Sequence, residues 1–269
     1  MERGAAKVMR RRSYALTDVG KKRPGNEDAF VADDTLGLYV VADGVGGHAK
    51  GEVASAESVE QVRNFIASHY AAIDTFLRDP PSSQNADDHT DERRVAMHRL
   101  LESAVQSACY LVFGMAEQDP SGLGMSTTLS ALLVLGTEAV IAQVGDSRVY
   151  RYRDGRSIQV TIDHTLINHQ IRQGLITAEQ GRTMRGRNVI TRAVGHRDYV
   201  EVDTFAVDLA AGDRFLICSD GLHGYLLGDE ADQLLAEPSV ESAAPHGIDL
   251  ALDRGGKDNI TAVVVAIGD

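Results

Sequence analysis

Cysteine is nearly missing from this 269-residue chain: Cys109 and Cys218 are the only two, far apart and each inside an apolar run. That leaves no disulfide framework and no thiolate metal site, and it fits a reducing, cytoplasmic setting. Long apolar runs are missing too. No stretch reaches the ~20 continuous apolar residues of a membrane span, so no membrane partner is expected. The opening MERGAAKVMRRRS is basic but lacks the apolar centre of a signal peptide. Positive charge is in deficit, with 27 Lys and Arg against 39 Asp and Glu. Nucleic acid is thereby excluded as the main partner, because phosphate backbones are held by clustered Lys and Arg.

Ordinary globular composition is present instead, 43% apolar and 25% charged, over a length that suits one domain with a sizeable core. Residues 1–12 read as a basic tail and 13–269 as the folded domain. The segment DPPSSQNADDHTDERR (79–94) reads as a loop between two helices, over about 51–77 and 92–117, whose apolar residues recur at spacings of three and four. Strand signals lie at 38–42, 126–135, 139–144, 148–153, 158–161, 200–207, 214–218 and 259–267. The breaks at Gly136-Thr137, Gly145-Asp146 and Asp154-Gly155 suit hairpin turns and leave no room for crossover helices, which predicts an antiparallel meander. Long helices between groups of strands then imply an α+β layered fold and exclude a doubly wound parallel sheet.

Three aspartate motifs are delivered in the same local way, each at a strand end. They are VVADGVGG with Asp43-Gly44, FLICSDGL with Asp220-Gly221, and GGKDNITAVVV with Asp258. Any one alone is an ordinary turn. Together they imply a cation, since carboxylates ~4 Å apart repel by about 4 kcal/mol at an effective dielectric of about 20. Oxygen donors without Cys or a His-x-His spacing point to Mg²⁺ or Mn²⁺ rather than Zn²⁺. Upstream, KKRPGNEDAF supplies Arg23, Glu27 and Asp28, a guanidinium suited to phosphate oxygens and carboxylates suited to orienting metal waters.

The ordered set RPGNED, VVADGVGGHAKGEVAS, GMSTTL, VGDSRVYRYRDG, CSDGL and GGKDNITAVVV resembles the bacterial branch of the type 2C, metal-dependent protein phosphatases. The resemblance implies a four-layer αββα sandwich, two antiparallel sheets flanked by helices. It implies serine/threonine phosphatase activity through water activated by two Mn²⁺ or Mg²⁺ ions, with a third metal as an option. Carried over by position, Asp43 bridges two metals, the Gly44 carbonyl binds the first, and Asp220 and Asp258 hold the second. Glu27 and Asp28 contact metal waters, Arg23 grips the substrate phosphate, and His48 occupies the general acid's place. The partners implied are phosphorylated proteins, including a Ser/Thr kinase, acted on by a monomer. A phosphoprotein-binding module without turnover is the alternative, disfavoured because every metal position is intact.

The chain departs from the family in two places. GMSTT stands where relatives read GMGTT, and His223-Gly224 follow CSDGL where relatives carry a further Asp or Asn, which leaves Asp119 as the nearest third-site carboxylate. The segment 163–195 is similar to the family's flap beside the active site and carries Arg172, Arg182, Arg185, Arg187 and Arg192, a local basic excess suited to acidic or phosphorylated loops.

Overall fold

The apolar strand runs pair into two antiparallel sheets that pack face to face in the computed structural model, which describes residues 9–45, 50–78, 86–184, 186 and 188–268. In chain order come β1 (Arg10–Asp18), β2 (Asp28–Asp33), β3 (Leu38–Val45), α1 (Gly51–Arg78) and α2 (Ala86–Gln118). Then follow β4 (Ser126–Thr127), β5 (Leu129–Leu135), β6 (Glu138–Val144), β7 (Arg148–Arg153) and β8 (Arg156–Gln159). The remainder is α3 (Leu166–Arg172), α4 (Ala178–Thr183), β9 (Asp203–Asp208), β10 (Arg214–Cys218), α5 (Asp220–His223), α6 (Glu230–Leu235), α7 (Val240–Asp253) and β11 (Ile260–Gly268). One sheet has the order β1-β11-β10-β7-β8. The other runs β2-β3-β5-β6-β9, with β4 on β3.

Successive side chains of a strand point to opposite faces, and the cores follow that period. Tyr39 and Val41 of β3 enter the layer between the sheets with Leu132, Ile141, Phe215, Ile217 and Val263. Leu38, Val40 and Ala42, one step out of phase, pack under α1 and α2 against Val62, Ile66, Leu101 and Val105. On the far side, Leu216 and Val264 pack on Ala244 and Ile248 of α7. A strand buried on both faces reads as a continuous apolar run, which is why β5 is buried along its whole length. The layers are helix, sheet, sheet, helix, as the fold class implied.

Several expectations need correction. Arg10–Arg12, placed in the basic tail, belong to β1, which pairs along its length with β11, and Met9 is buried. β2 was not foreseen. The expected meander is two hairpins in different sheets: β5–β6 pair in one and β7–β8 in the other, so Gly145-Asp146-Ser147 is a crossing between sheets and not a turn within one. The β7–β8 turn is as read, with Asp154 at φ 53° and Gly155 at φ 82°, the left-handed pair of a type I′ hairpin. Helix α2 starts at Ala86, inside the stretch read as loop.

Candidate active site

The β2–β3 hairpin and the turn before it supply one wall of the site. Asp28 and Asp43 are direct register partners across the two strands. The Asp43 backbone is held from both sides: its N–H donates to Thr128 Oγ1 (3.1 Å), and its carbonyl accepts from Thr127 Oγ1 (2.8 Å) and the Thr128 N–H (2.8 Å). The Gly44 N–H donates to the Glu27 carbonyl at 3.0 Å, which also accepts from Ser55 Oγ at 2.6 Å. A Cβ on Gly44 would lie 2.5 Å from the Gly51 carbonyl and 2.9 Å from Glu27 O, so the start of α1 approaches this strand end only because the residue is glycine.

The other wall comes from β10, α5 and β11. Asp220 opens α5, and a Cβ on Gly221 would meet Asn259 O at 1.8 Å, so the two segments carrying Asp220 and Asp258 touch backbone to backbone. Asn259 ties the walls together. Its Oδ1 accepts from the Glu27 N–H (2.8 Å), and its Nδ2 donates to the carbonyls of Val19 (3.0 Å) and Gly25 (2.9 Å). Asp28 is buried, with Oδ2 accepting from Ser219 Oγ (2.7 Å) and Thr261 Oγ1 (2.6 Å), while Oδ1 is buried with no partner. The Arg23 guanidinium lies on Asp258 Oδ2 at 2.8 Å and 3.8 Å from Glu27, a cation between two carboxylates.

One acid was missed by sequence reasoning. Asp146, at the crossing between the sheets, is buried and lines the same cleft as Asp220 and Asp258. Its carbonyl accepts from Nε2 of His223 at 2.9 Å. The signal was Asp-Ser inside VGDSR, which looks like any polar turn.

Electrostatics explain what this arrangement needs. Burial first, then the charges of Asp28, Asp220, Asp146 and Asp258, hold the half-buried Asp43 carboxyl well above its ordinary range. Burial and the neighbouring Asp220 and Asp258 raise Asp28, although Thr261 and Ser219 oppose the shift, and burial with Asp258 raises Asp220. Asp146 is pushed to about 7 by burial and by Asp220. Burial lowers His223 to about 4, so it is a neutral imidazole. Among the described residues no three His, Cys, Asp or Glu side chains are already drawn into a closed ligand cage. The oxygen-only donor set, the orphaned Asp28 Oδ1 and the mutual repulsion nevertheless fit a hard divalent cation.

A cavity of ≈ 670 Å³ opens beside the acids, walled by Asp146, Arg148, Asp220 and Asp258 on one side and by Ile167 and Ile171 of α3 on the other. The 163–195 segment is therefore at the cleft, as expected. It is pinned at its start by Asp163, which takes Arg148 at 2.7–3.1 Å, and at its end by the paired backbones of Thr127 and Val194. The basic excess is smaller than the sequence suggested, because Arg192 is held by Asp203 (2.6 Å) and Glu201 (2.8 Å). Asp119 pairs with Lys50 at 2.6 Å and accepts from Ser121. His48, Arg185 and Arg187 lie outside the described residues.

A family model described as protein phosphatase 2C matches residues 21–254. The serine/threonine protein phosphatase PstP of Mycobacterium tuberculosis is 35% identical over 259 residues, 96% of this chain and 45% of PstP, so the chain spans about half the length of that curated relative. The protein phosphatase PhpP of Streptococcus pneumoniae is 31% identical over 258 residues, 94% of this chain and 96% of PhpP. The crystal structure of the PstP catalytic domain in complex with two manganese ions superposes with a TM-score of 0.77 at 33% identity, covering 97% of this chain and 100% of that one.

Proposed function

The chain belongs to the protein phosphatase 2C family, and from that premise we propose that it hydrolyses phosphoserine and phosphothreonine in proteins with two divalent cations, Mn²⁺ or Mg²⁺. The observation that carries this reading is the convergence of Asp28, Asp43, Asp146, Asp220 and Asp258 from separate elements: the charges of the other four all push the Asp43 carboxyl upwards, and Asp146, Asp220 and Asp258 line one cleft. Only bound cations make such a cluster worth keeping. The two manganese ions of the PstP catalytic domain support the number.

Asp43, the Gly44 carbonyl, Asp220 and Asp258 would hold the ions, with Glu27 and Asp28 placed to contact water beside them. Cations held there supply charge neutralisation and lower the pKa of an attacking water towards ≈ 7. The chain's own residues do the rest. Ser219 and Thr261 fix Asp28 through one oxygen, leaving Oδ1 to accept a hydrogen bond from water and orient it. Arg23, exposed at the rim, presents a planar fork that matches two phosphoryl oxygens and the charge that spreads over them during transfer. His48 is assigned the proton delivered to the departing seryl or threonyl oxygen, on the sequence alone.

Thiolate chemistry is disfavoured by the cysteines themselves. Both are fully buried, and burial pushes Cys218 to about 12 and Cys109 upwards from the ordinary thiol value. Free buried thiols also support a cytoplasmic setting. Asp119, already neutralised by Lys50, supports two ions rather than three. Phosphoproteins, a Ser/Thr kinase among them, are the partners this chemistry fits.

The test is hydrolysis of an aryl phosphate and of phosphoserine, phosphothreonine and phosphotyrosine peptides, with Mn²⁺ and with chelator. Activity that needs the metal and favours the two aliphatic phosphoesters is expected. Full activity in excess chelator would overturn the reading.

A further inference from the structure

Helix α3 separates the catalytic cleft from a second cavity of ≈ 320 Å³. Asp163, Thr165 and Asn168 line both spaces, so the two adjoin across this single helix. The helix divides its side chains between them. Ile167 and Ile171, four apart, face the cleft, while His169 and Arg172, three apart, face the second cavity.

Charge in the second cavity is unevenly spent. The Asp163 carboxylate is taken up by Arg148 and by Gln159 Nε2 (2.8 Å). Arg192 is balanced by Asp203 and Glu201, and His164 Nε2 lies 3.2 Å from Asp203. Among the described residues, nothing hydrogen-bonds or ion-pairs with the Arg172 guanidinium or the His169 imidazole. The cavity therefore holds an exposed cation without a protein partner among the described residues and a second, exposed N–H donor, with Thr191 beside them, in a protein of net charge -12.

We propose that this cavity binds a second anionic side chain of the substrate, a carboxylate or a phosphoryl group, through Arg172 and His169. The proposal rests on the phosphatase reading above and names a specificity site for it. A helix with its side chains is about 10 Å across, and extended chain covers ~3.3 Å per residue. The second anion then lies roughly three residues from the phosphoresidue being hydrolysed. Because the contact is the same before and during reaction, it lowers KM and leaves kcat alone.

The experiment uses phosphothreonine peptides carrying Ala, Asp, phosphoserine or Lys at each position within five residues of the phosphothreonine, with Mn²⁺, beside an aryl phosphate. For the unaltered chain, Asp or phosphoserine at one position near the third or fourth is expected to lower KM about ten-fold, the effect of one charge-assisted hydrogen bond. Asp and phosphoserine at that position tell a carboxylate site from a phosphoryl site. Arg172→Ala should erase the preference, and Arg172→Glu should turn it towards Lys, with aryl phosphate turnover unchanged in both. Equal KM for all peptides alongside metal-dependent aryl phosphate hydrolysis would overturn the subsite and leave the phosphatase reading standing, as would a preference that survives Arg172→Ala. Loss of aryl phosphate turnover in the variants would make Arg172 part of the flap's structure and equally overturn it. No aryl phosphate hydrolysis by the unaltered chain would sink the phosphatase reading and the subsite with it.

Discussion

Asp28 and Asp43 stand directly opposite each other in the β2–β3 ladder, two carboxylates on one face of one sheet. Like charges in that relationship destabilise a sheet by roughly 0.2–1 kcal/mol, the reverse of an opposite-charge pair. Asp43→Asn is expected to raise the melting temperature in chelator at pH 8 by about 0.5–4 °C, while cutting metal-dependent turnover by about 100-fold. Thermal melts and steady-state kinetics check both; undiminished turnover would remove Asp43 from the site.

The metal-free protein should lose stability as pH rises, because its four raised carboxyls outweigh His223, lowered by burial to about 4, and His98 and His164, also lowered, which act in the opposite sense over the same window. Asp28, Asp43 and Asp220 have folded pKa values raised above the unfolded value, and Asp146 is raised to about 7. The folded state thus binds more protons than the unfolded state between about pH 4 and pH 7, so the stability present below about pH 4 is lost across that window. Melts in chelator from pH 4.5 to 8 should show a falling midpoint, and Mn²⁺ should flatten the slope. A midpoint that rises with pH would mean that the carboxyls do not repel one another as placed.

Gly221→Ala tests the backbone contact that brings Asp220 to Asp258. The new methyl group would fall 1.8 Å from the Asn259 carbonyl, and backbone on both sides must move. Overpacking of this kind costs about 1–3 kcal/mol. It should also weaken Mn²⁺ binding, because the two acids part together with their backbones. Calorimetric titration that finds unchanged affinity would show that the spacing of these segments does not set the site.

Asp119→Asn probes whether a third ion belongs here. Lys50 already neutralises this carboxylate at 2.6 Å, and both side chains are substantially exposed. The variant is expected to bind the same number of Mn²⁺ ions as the parent and to keep its turnover within about two-fold, as surface pairs contribute little. A lost binding step in the titration would restore Asp119 as a metal ligand.

The parts of this protein legible in the sequence are those whose cause is local. An apolar run ending in Asp-Gly announces a strand that delivers a carboxylate to its end, and Asp43 and Asp220 could be read that way because their neighbours within a few residues determine it. The long helices and the Asp154-Gly155 hairpin were legible for the same reason. Their periodicity and φ preferences need no distant partner.

What tertiary structure alone decided is everything that depends on residues far apart in the chain. RRRSYALTD opens on three arginines and gives only a weak strand signal; it is a strand because β11, about 250 residues later, offers it an open edge. Asp146 looked like a turn residue because a short polar break between two strands is equally consistent with a hairpin and with a step from one sheet to the other. Which of these occurs is settled by the apolar faces of both sheets seeking burial together, and only the step between sheets places Asp146 beside Asp220. Arg172 was one of five arginines in a basic run until packing neutralised Arg192 and left Arg172, among the described residues, unpaired across a helix from the cleft. Local pattern determines which groups a segment can present; only the closed fold, where burial and pairing are shared among distant segments, decides which of them meet and which are left with charge to use.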